Sequence, residues 1–196
     1  QGNVVKYFAS FDEAIQDFNI EKLPQEDEKE TSKSYRIDAL HKMTDSQKMA
    51  AIPLKMESSG TLKMFALYPS LKDVLDNGGT LFIDELNARL HPLLVRNIIL
   101  TFLSPEINTQ NAQLIFTTHD IWQFSNELLR RDEIWLVKKN RDGVSELYSL
   151  ADFKDEDGNK VRRDEALSKK YLTGNYGAIP ALKPMKMLTG RAAYGE

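Results

Sequence analysis

The sequence predicts an α/β fold with a mostly parallel sheet, helices on its faces and a β-hairpin at its edge. Two short apolar segments, residues 80–83 and 112–117, have the length and composition of buried strands, and a strongly apolar helical segment lies between them. A strand, a helix and a second strand in that order form a parallel βαβ unit. The hairpin is predicted from Asp142-Gly143, a turn dipeptide with strand-like segments on both sides.

The composition allows one substantial core and names no partner. The 196 residues are 41% hydrophobic and 28% charged, and 26 basic against 29 acidic side chains give a net charge of −3. That balance argues against a generally basic surface that coats nucleic acid. The chain contains no cysteine, which excludes disulfides and thiolate metal sites and fits a cytoplasmic protein. No apolar run approaches the roughly 20 residues that span a bilayer, so we expect no membrane partner.

The N-terminal quarter is expected to hold a helix, a loop and two strands. Over residues 3–18 the apolar side chains recur at helical spacing, which predicts an amphipathic helix. The polar segment 24–33 begins with a proline and predicts a solvated loop. Alternation predicts a strand over residues 35–41. A second, edge strand is predicted over residues 50–55, because Pro53 cannot donate a ladder hydrogen bond.

A turn of small residues, Ser58-Ser59-Gly60, precedes a helical pattern that runs to Leu75 and contains Pro69, which is expected to kink the helix. The backbone N–H groups and hydroxyls at such a helix start, together with the positive end of the helix dipole, suit an anionic phosphate. The alternative is an ordinary N-cap, in which a serine only caps the helix. The turn taken alone favours the N-cap.

Two adjacent carboxylates end the first apolar strand. Residues 80–83 run directly into Asp84 and Glu85, and charges at the tip of a buried strand need a partner, water or a metal ion to offset their desolvation. Magnesium and phosphate chemistry would supply such a partner. The alternative is that the two residues merely leave the sheet and cap the helix that begins near Pro92.

The second apolar strand also delivers titratable groups to its carboxyl end. Residues 112–117 are followed by His119 and Asp120, and open α/β sheets bind their ligands at the carboxyl ends of their strands. A single histidine is usually structural, but its place two residues past a buried strand favours a site. A helix is predicted to follow over residues 121–129.

The C-terminal part of the chain predicts the edge hairpin and a charged region. The hairpin strands are predicted over residues 133–138 and 145–149. A solvated charged loop and helix are predicted over residues 152–170. The aromatic and glycine-rich segment 171–180 is expected to pack back on the body, and residues 184–196 are expected to form a tail prone to disorder.

Three features follow one another along the sequence: the serine and glycine turn, the strand that ends in Asp84-Glu85, and the strand that ends before His119. Their order resembles that of the ABC-type ATPases. The resemblance is to the C-terminal lobe of the SMC-like and bacterial abortive-infection (anti-phage) branch of AAA-family ATPases, with its signature turn, Walker B strand and switch histidine. It is most specific in LFIDELNARLHP and LIFTTHD and looser in ESSGT, where the family more often has two adjacent glycines. The similarity covers residues 50–180, including RRDEIWLVKK and YLTGNYGAIP.

The resemblance implies a P-loop NTPase fold, in which residues 1–183 form the C-terminal lobe, and it implies a role for each matching residue. Asp84 would hold Mg²⁺ through water, Glu85 would polarise the water that attacks the γ-phosphate of ATP, and His119 would sense that phosphate and steady Glu85. A metal-binding carboxylate beside a water-orienting one suffices for phosphoryl transfer, which needs charge neutralisation and an oriented nucleophile.

The resemblance also implies a homodimer that closes on ATP. The residues that would contact a nucleotide held by a second copy are Ser58, Ser59 and Gly60. The segment Asn87–Leu90 would lie at the same interface, although Arg89 departs from the small residues found there more often.

One motif of that family is missing from the sequence. None of the ten glycines begins the P-loop pattern G-x-x-x-x-G-K-[ST]. The family places this loop in an N-terminal lobe, and the chain begins with Gln1 and not Met. We therefore expect the chain to be part of a larger ATPase, inactive on its own, whose partners are that lobe, a second copy and an effector nuclease or nucleic acid.

Three other functions remain open from the sequence. The parent protein could be a DNA-repair or SMC-type ATPase and not a defence protein. The chain could be a non-catalytic interaction module that keeps the fold without the P-loop. It could also be a metal-dependent nuclease in which Asp84 and Glu85 hold the metal directly, which would require DNA nicking without nucleotide.

Overall fold

The chain divides into two compact units, Gln1–Asp120 and Ile121–Glu196. The computed structural model describes residues 2–9, 11–24, 34–44, 48–162 and 164–180. The loop predicted over residues 24–33, apart from Pro24, and the predicted tail 184–196 lie outside the described residues.

The first unit begins with a helix and a three-stranded antiparallel sheet. Helix α1 spans Gly2–Ala9, and strands β1, β2 and β3 span Ile15–Lys22, Tyr35–Lys42 and Met49–Pro53. The strand order is β1-β2-β3, so the strand that contains Pro53 lies at an edge, as predicted. Four buried side chains from α1, β1 and β2 form the core of this layer: Phe8, Ile15, Phe18 and Ala39.

The helix predicted over residues 3–18 is wrong beyond Ala9. Strand β1 begins at Ile15, and its pairing with β2 shifts register between Ile15 and Asp17. This irregularity allows Ile15 and Phe18, which lie three residues apart, to be buried in the same core. In a regular strand these two side chains would point to opposite faces, so the irregularity reproduces the spacing of a helical turn.

The rest of the first unit is a βαβ arrangement preceded by a long helix. Helix α2 spans Ser59–Asn77, strand β4 Thr80–Ile83, helix α3 Pro92–Leu103 and strand β5 Gln113–Phe116. Strands β4 and β5 pair in parallel, as the sequence predicts. Helix α2 runs without a break through Pro69. Helix α3 buries its apolar side at Val95, Ile98 and Ile99.

The mostly parallel sheet of the predicted fold is wrong for the described residues. Their strands form three separate sheets, one antiparallel sheet of three strands, the parallel pair β4–β5 and a further pair in the second unit. The fold is therefore α/β with small sheets. Strand positions follow from local patterns, whereas the pairing of distant strands depends on packing that no local pattern encodes.

The second unit contains the predicted β-hairpin and a short helix. Strands β6 and β7 span Trp135–Lys139 and Ser145–Ser149, and helix α4 spans Leu167–Leu172. The hairpin forms its own sheet and does not extend the parallel pair. The segment 171–180 packs back as predicted, because Tyr176 is 2% exposed in the core of this unit. The other buried members of that core are Ile134, Leu136, Leu150, Val161 and Leu167.

The helix predicted over residues 121–129 is also wrong. A 3₁₀ turn covers Ile121–Gln123, and the chain then continues in turns. The Ser125 hydroxyl accepts a hydrogen bond from the Glu127 N–H at 3.2 Å. Such a side-chain contact satisfies the backbone locally and competes with a helix. Within the described ranges, no helix is long and apolar enough to cross a membrane.

Candidate functional site

The carboxyl ends of β4 and β5 lie side by side and carry the candidate site. Ile83 pairs with Phe116 in the parallel register, so Asp84 and Thr117 are the first residues beyond the two strands. The Thr117 N–H donates to the Ile83 carbonyl at 3.0 Å, and the Leu86 N–H donates to the Thr117 carbonyl at 3.0 Å. These bonds bring the two segments together beyond the last ladder pair, at the end of the strands where α/β proteins bind ligands.

The Thr117 hydroxyl joins the two carboxylate residues. Its oxygen accepts a hydrogen bond from the Glu85 N–H at 2.8 Å, and its proton is donated to Asp84 Oδ1 at 2.5 Å. A hydroxyl can donate one hydrogen bond and accept others. One side chain on β5 therefore fixes both the Asp84 carboxylate and the Glu85 main chain.

The chain turns sharply at Glu85, where Lys63 of helix α2 holds the turn. Glu85 has a φ of 50°, in the left-handed region that residues with a Cβ atom rarely adopt. The Lys63 ammonium donates to the Glu85 carbonyl at 2.7 Å and to the Leu86 carbonyl at 3.0 Å. Partial burial lowers the pKa of Lys63; the Glu85 carboxylate opposes that shift and Arg89 adds to it.

Glu85 and His119 lie within hydrogen-bond distance of each other across the two strand ends. His119 Nδ1 lies 2.9 Å from Glu85 Oε2, and the two side chains are 75% and 52% exposed. A surface pair of this kind contributes little to stability. Its significance is positional, because it brings together the two residues for which the sequence predicts catalytic roles.

Asn87 connects the turn after β4 to the segment after β5. Its side-chain nitrogen Nδ2 lies 3.1 Å from His119 Nε2. Its side-chain oxygen Oδ1 accepts a hydrogen bond from the Thr118 hydroxyl at 2.8 Å. The Thr118 oxygen in turn accepts from the Asp120 N–H at 2.9 Å. Both nitrogens of the His119 ring therefore have partners within the chain.

The serine and glycine turn begins helix α2, and Ser58 acts as its N-cap. The Ser58 hydroxyl oxygen accepts from the Thr61 N–H at 3.1 Å, which confirms the N-cap interpretation for this residue. Gly60 lies against the turn after β4, because a Cβ atom at this position would be 3.0 Å from the Arg89 carbonyl. A nucleotide contact for Ser58, Ser59 and Gly60 stays a prediction.

Asp84 could hold a magnesium ion only if water or substrate phosphates supplied the other ligands. Within the described residues, no three His, Asp or Glu side chains are grouped to hold a metal ion. Asp84 is exposed, and with one oxygen bound to Thr117 the second oxygen is available to a cation. Magnesium in phosphate sites is held by one or two carboxylates, with water and substrate phosphates completing the shell. The donor set at Asp84 has that character.

The fold and the exposed polar residues after β4 and β5 are those of an α/β protein, a class in which ligands bind at the carboxyl ends of parallel strands. A family model described as "AAA domain, putative AbiEii toxin, Type IV TA system" matches residues 7–121, more than half of the chain. The chain belongs to this family. Its class is therefore that of the nucleotide-binding P-loop NTPases, whose AAA members are ATPases that use ATP and Mg²⁺. No curated protein matches the chain.

The family match confirms the AAA-family part of the resemblance. The matched residues include the signature-like turn, Asp84, Glu85 and His119, and the match ends one residue past the first unit. The phrases RRDEIWLVKK and YLTGNYGAIP lie outside it. The ABC-type and SMC-like motif assignments and the individual site roles stay predictions.

Three residues that organise the site were not singled out from the sequence. They are Lys63, Thr117 and Thr118. The two threonines directly precede His119 at the end of a predicted strand, which is a signal that sequence reasoning could have used. Lys63 gave no such signal, because its contact spans more than twenty residues and depends on how α2 packs against β4.

Proposed function

We propose that the chain is the C-terminal lobe of an ABC-type ATPase domain that hydrolyses ATP with Mg²⁺ and dimerises on ATP. One observation carries the proposal. Glu85 and His119 follow the ends of two adjacent parallel strands and lie 2.9 Å apart. Glu85 comes directly after Asp84, and His119 comes two residues after Thr117.

The proposed roles follow from what each side chain can do. When bound, Mg²⁺ would supply charge neutralisation for the phosphates, and Asp84 would hold it through its free carboxylate oxygen. The Glu85 carboxylate is exposed and can accept a hydrogen bond from the attacking water, which orients that water for in-line attack. His119 holds Glu85 in place before the reaction, and its exposed ring is within reach of an incoming phosphate.

The close approach of Gly60 to Arg89 supports the proposed homodimer. The start of helix α2 and the turn after β4 lie against each other in one chain. A second copy that contacts one of these segments can therefore contact the other. ATP bound by that copy would be held by Ser58, Ser59 and Gly60. The segment Asn87–Leu90 would contact the copy itself.

The uncovered face of the β4–β5 pair supports a partner lobe that carries the P-loop. Phe82 and Ile115 are paired in the parallel register and are 71% and 49% exposed. Parallel strands are normally buried on both faces and paired within larger sheets. We propose that the N-terminal lobe of the same protein covers this face, and that the lobe adds strands to the pair.

The proposed biological role is anti-phage defence by abortive infection, in the cytoplasm. The printed description of the matching family names an AbiEii toxin of a type IV TA system, which is the basis for favouring defence over DNA repair. A metal-dependent nuclease is less well supported, because in the described part of the chain no group of three His, Asp or Glu side chains could hold a metal ion.

The test is Mg²⁺-dependent ATP turnover by a protein that contains this chain together with a P-loop lobe. We expect Glu85→Gln to lower kcat by at least about 100-fold, because the amide orients the attacking water but does not accept its proton. ATP binding should persist, since Glu85 contacts the water and not the metal. Glu106→Gln, on the exposed loop after α3, is the matched control and should leave turnover unchanged.

Three outcomes would overturn the proposal. Turnover that Glu85→Gln leaves unchanged would exclude Glu85 as the residue that polarises the attacking water and accepts its proton. Absence of turnover in every context would favour the interaction module, and nicking of DNA without nucleotide would favour the nuclease.

A further inference from the structure

A chain of hydrogen bonds runs from Asp120 to Glu85 through both strand ends. The Asp120 N–H donates to the Thr118 hydroxyl oxygen, and that hydroxyl donates to Asn87 Oδ1. Asn87 Nδ2 then contacts His119 Nε2, and His119 Nδ1 contacts Glu85 Oε2. Each link is between 2.8 and 3.1 Å long.

The chemistry of the last acceptor gives this chain a direction. An ionised carboxylate only accepts hydrogen bonds, so the proton between Glu85 and His119 is carried by Nδ1. The opposite ring nitrogen, Nε2, then presents a lone pair in the neutral ring, and it needs a donor. The Asn87 amide nitrogen is that donor, which turns the amide oxygen toward the Thr118 hydroxyl. Every group in this series of hydrogen bonds therefore acts consistently as a donor or as an acceptor.

We infer that Asn87 is a positioning residue that holds His119 in the tautomer with the proton on Nδ1, and so keeps the ring against Glu85. Which ring nitrogen carries the proton is set by the bond that the other nitrogen makes. Because the His119 side chain is 75% exposed, these two polar contacts decide its orientation.

This inference adds a release step to the proposed function. Only the release step rests on the proposed function. For His119 to contact a phosphate through Nε2, the ring must leave the Asn87 amide and bring a proton to Nε2. Asn87 lies in the segment proposed to touch the second copy. Movement of that segment on dimerisation would therefore free His119, which couples phosphate sensing to assembly.

The other two histidines make the prediction measurable. His41 Nε2 lies 2.7 Å from the Glu57 carboxylate, so its proton is on Nε2. His91 Nδ1 accepts from the Leu93 N–H, which also leaves the proton on Nε2. Of the chain's three histidines, His119 alone should carry its proton on Nδ1. Long-range ¹H–¹⁵N correlation of the ¹⁵N-histidine-labelled chain, in mildly alkaline buffer, reports the protonated nitrogen of each ring.

The experiment compares two variants at position 87 with a matched control. Asn87→Ala removes the donor, and we expect loss of the Nδ1–H pattern of His119 in favour of the Nε2–H form that free histidine prefers. Asn87→Asp keeps the shape but can only accept, so it should bring a proton to Nε2. Asn97→Asp makes the same charge change on the exposed side of α3 and should leave His119 unchanged. His119→Gln identifies the His119 signals by their disappearance.

Two results would overturn the inference. One is a wild-type His119 whose proton is on Nε2 or on both nitrogens. The other is an Asn87→Ala spectrum that matches the wild type, while the backbone amide spectrum shows an intact fold. Neither result depends on ATP, so a failure here is distinct from a failure of the proposed ATPase function.

Discussion

The two sheets of the first unit differ in what covers them. The antiparallel sheet β1–β3 packs an aromatic core against α1, in which Phe8 is 0% and Phe18 is 2% exposed. The parallel pair β4–β5 leaves Phe82 71% and Ile115 49% exposed on one face. The antiparallel sheet therefore has a packed core on one face, whereas in the described part of the chain one face of the parallel pair is largely exposed.

The difference follows from how the two kinds of sheet are built. An antiparallel sheet can bury one face and leave the other to water, which is the situation of β1–β3. A parallel pair normally lies within a larger sheet with helices on both faces. The contacts that carry the proposed chemistry are all at the end of the parallel pair. In the first unit the site is thus separate from the aromatic core of the antiparallel sheet.

The largest expected effect on stability comes from removing one ring of the aromatic core. Phe18→Ala should lower the free energy of unfolding by about 3–5 kcal/mol, because it leaves a cavity between α1, β1 and β2. Urea denaturation followed by far-UV circular dichroism measures this change. A loss of less than about 1 kcal/mol would mean that the antiparallel layer does not depend on this core.

An intermediate effect is expected at the strand tip. Thr117→Val keeps the side-chain shape but removes the hydroxyl that joins Asp84 and Glu85, and it should cost about 1 kcal/mol. Amide hydrogen exchange at Glu85 should become faster, because its N–H loses its acceptor. Thr101→Val, which removes a hydroxyl from α3, is the control and should leave exchange at Glu85 as it is. Unchanged exchange in Thr117→Val would contradict the proposed role of this hydroxyl.

The smallest expected effect is on the exposed face of the parallel pair. Phe82→Ala should change the free energy of unfolding of this chain by no more than about 0.5 kcal/mol, because the ring is mostly in contact with water. The same denaturation experiment as for Phe18→Ala gives a direct comparison of two phenylalanines. A loss comparable to that of Phe18→Ala would mean that the face is covered within the chain itself.

The sequence predicted the local elements of the parallel pair well. The strands at 80–83 and 113–116, the helix that starts at Pro92 and the polar strand ends were all derived from apolar runs and their boundaries. The hairpin followed from Asp142-Gly143. These features depend on neighbouring residues, so a single sequence is enough to find them.

The errors arose where the backbone departs from a regular pattern or where pairing is distant. The register shift in β1 gave Ile15 and Phe18 the spacing of a helix. After Gln123 the chain forms turns where a helix was predicted, and there the Ser125 hydroxyl accepts a hydrogen bond from the Glu127 N–H. At the site, the contact of Asn87 with His119 could not be predicted, because it depends on the turn that Glu85 makes with a positive φ.

The hydrogen bonds between Lys63 and the turn at Glu85 have a practical and an evolutionary consequence. Lys63 and Thr117 bind the carbonyl and the N–H of Glu85, and neither of them binds its carboxylate. The corner is thus built from main-chain atoms that every substitution except proline retains. An amide or a shorter side chain can replace the carboxylate while the scaffold stays in place, so activity at this position can be lost or regained by one codon change without refolding the protein.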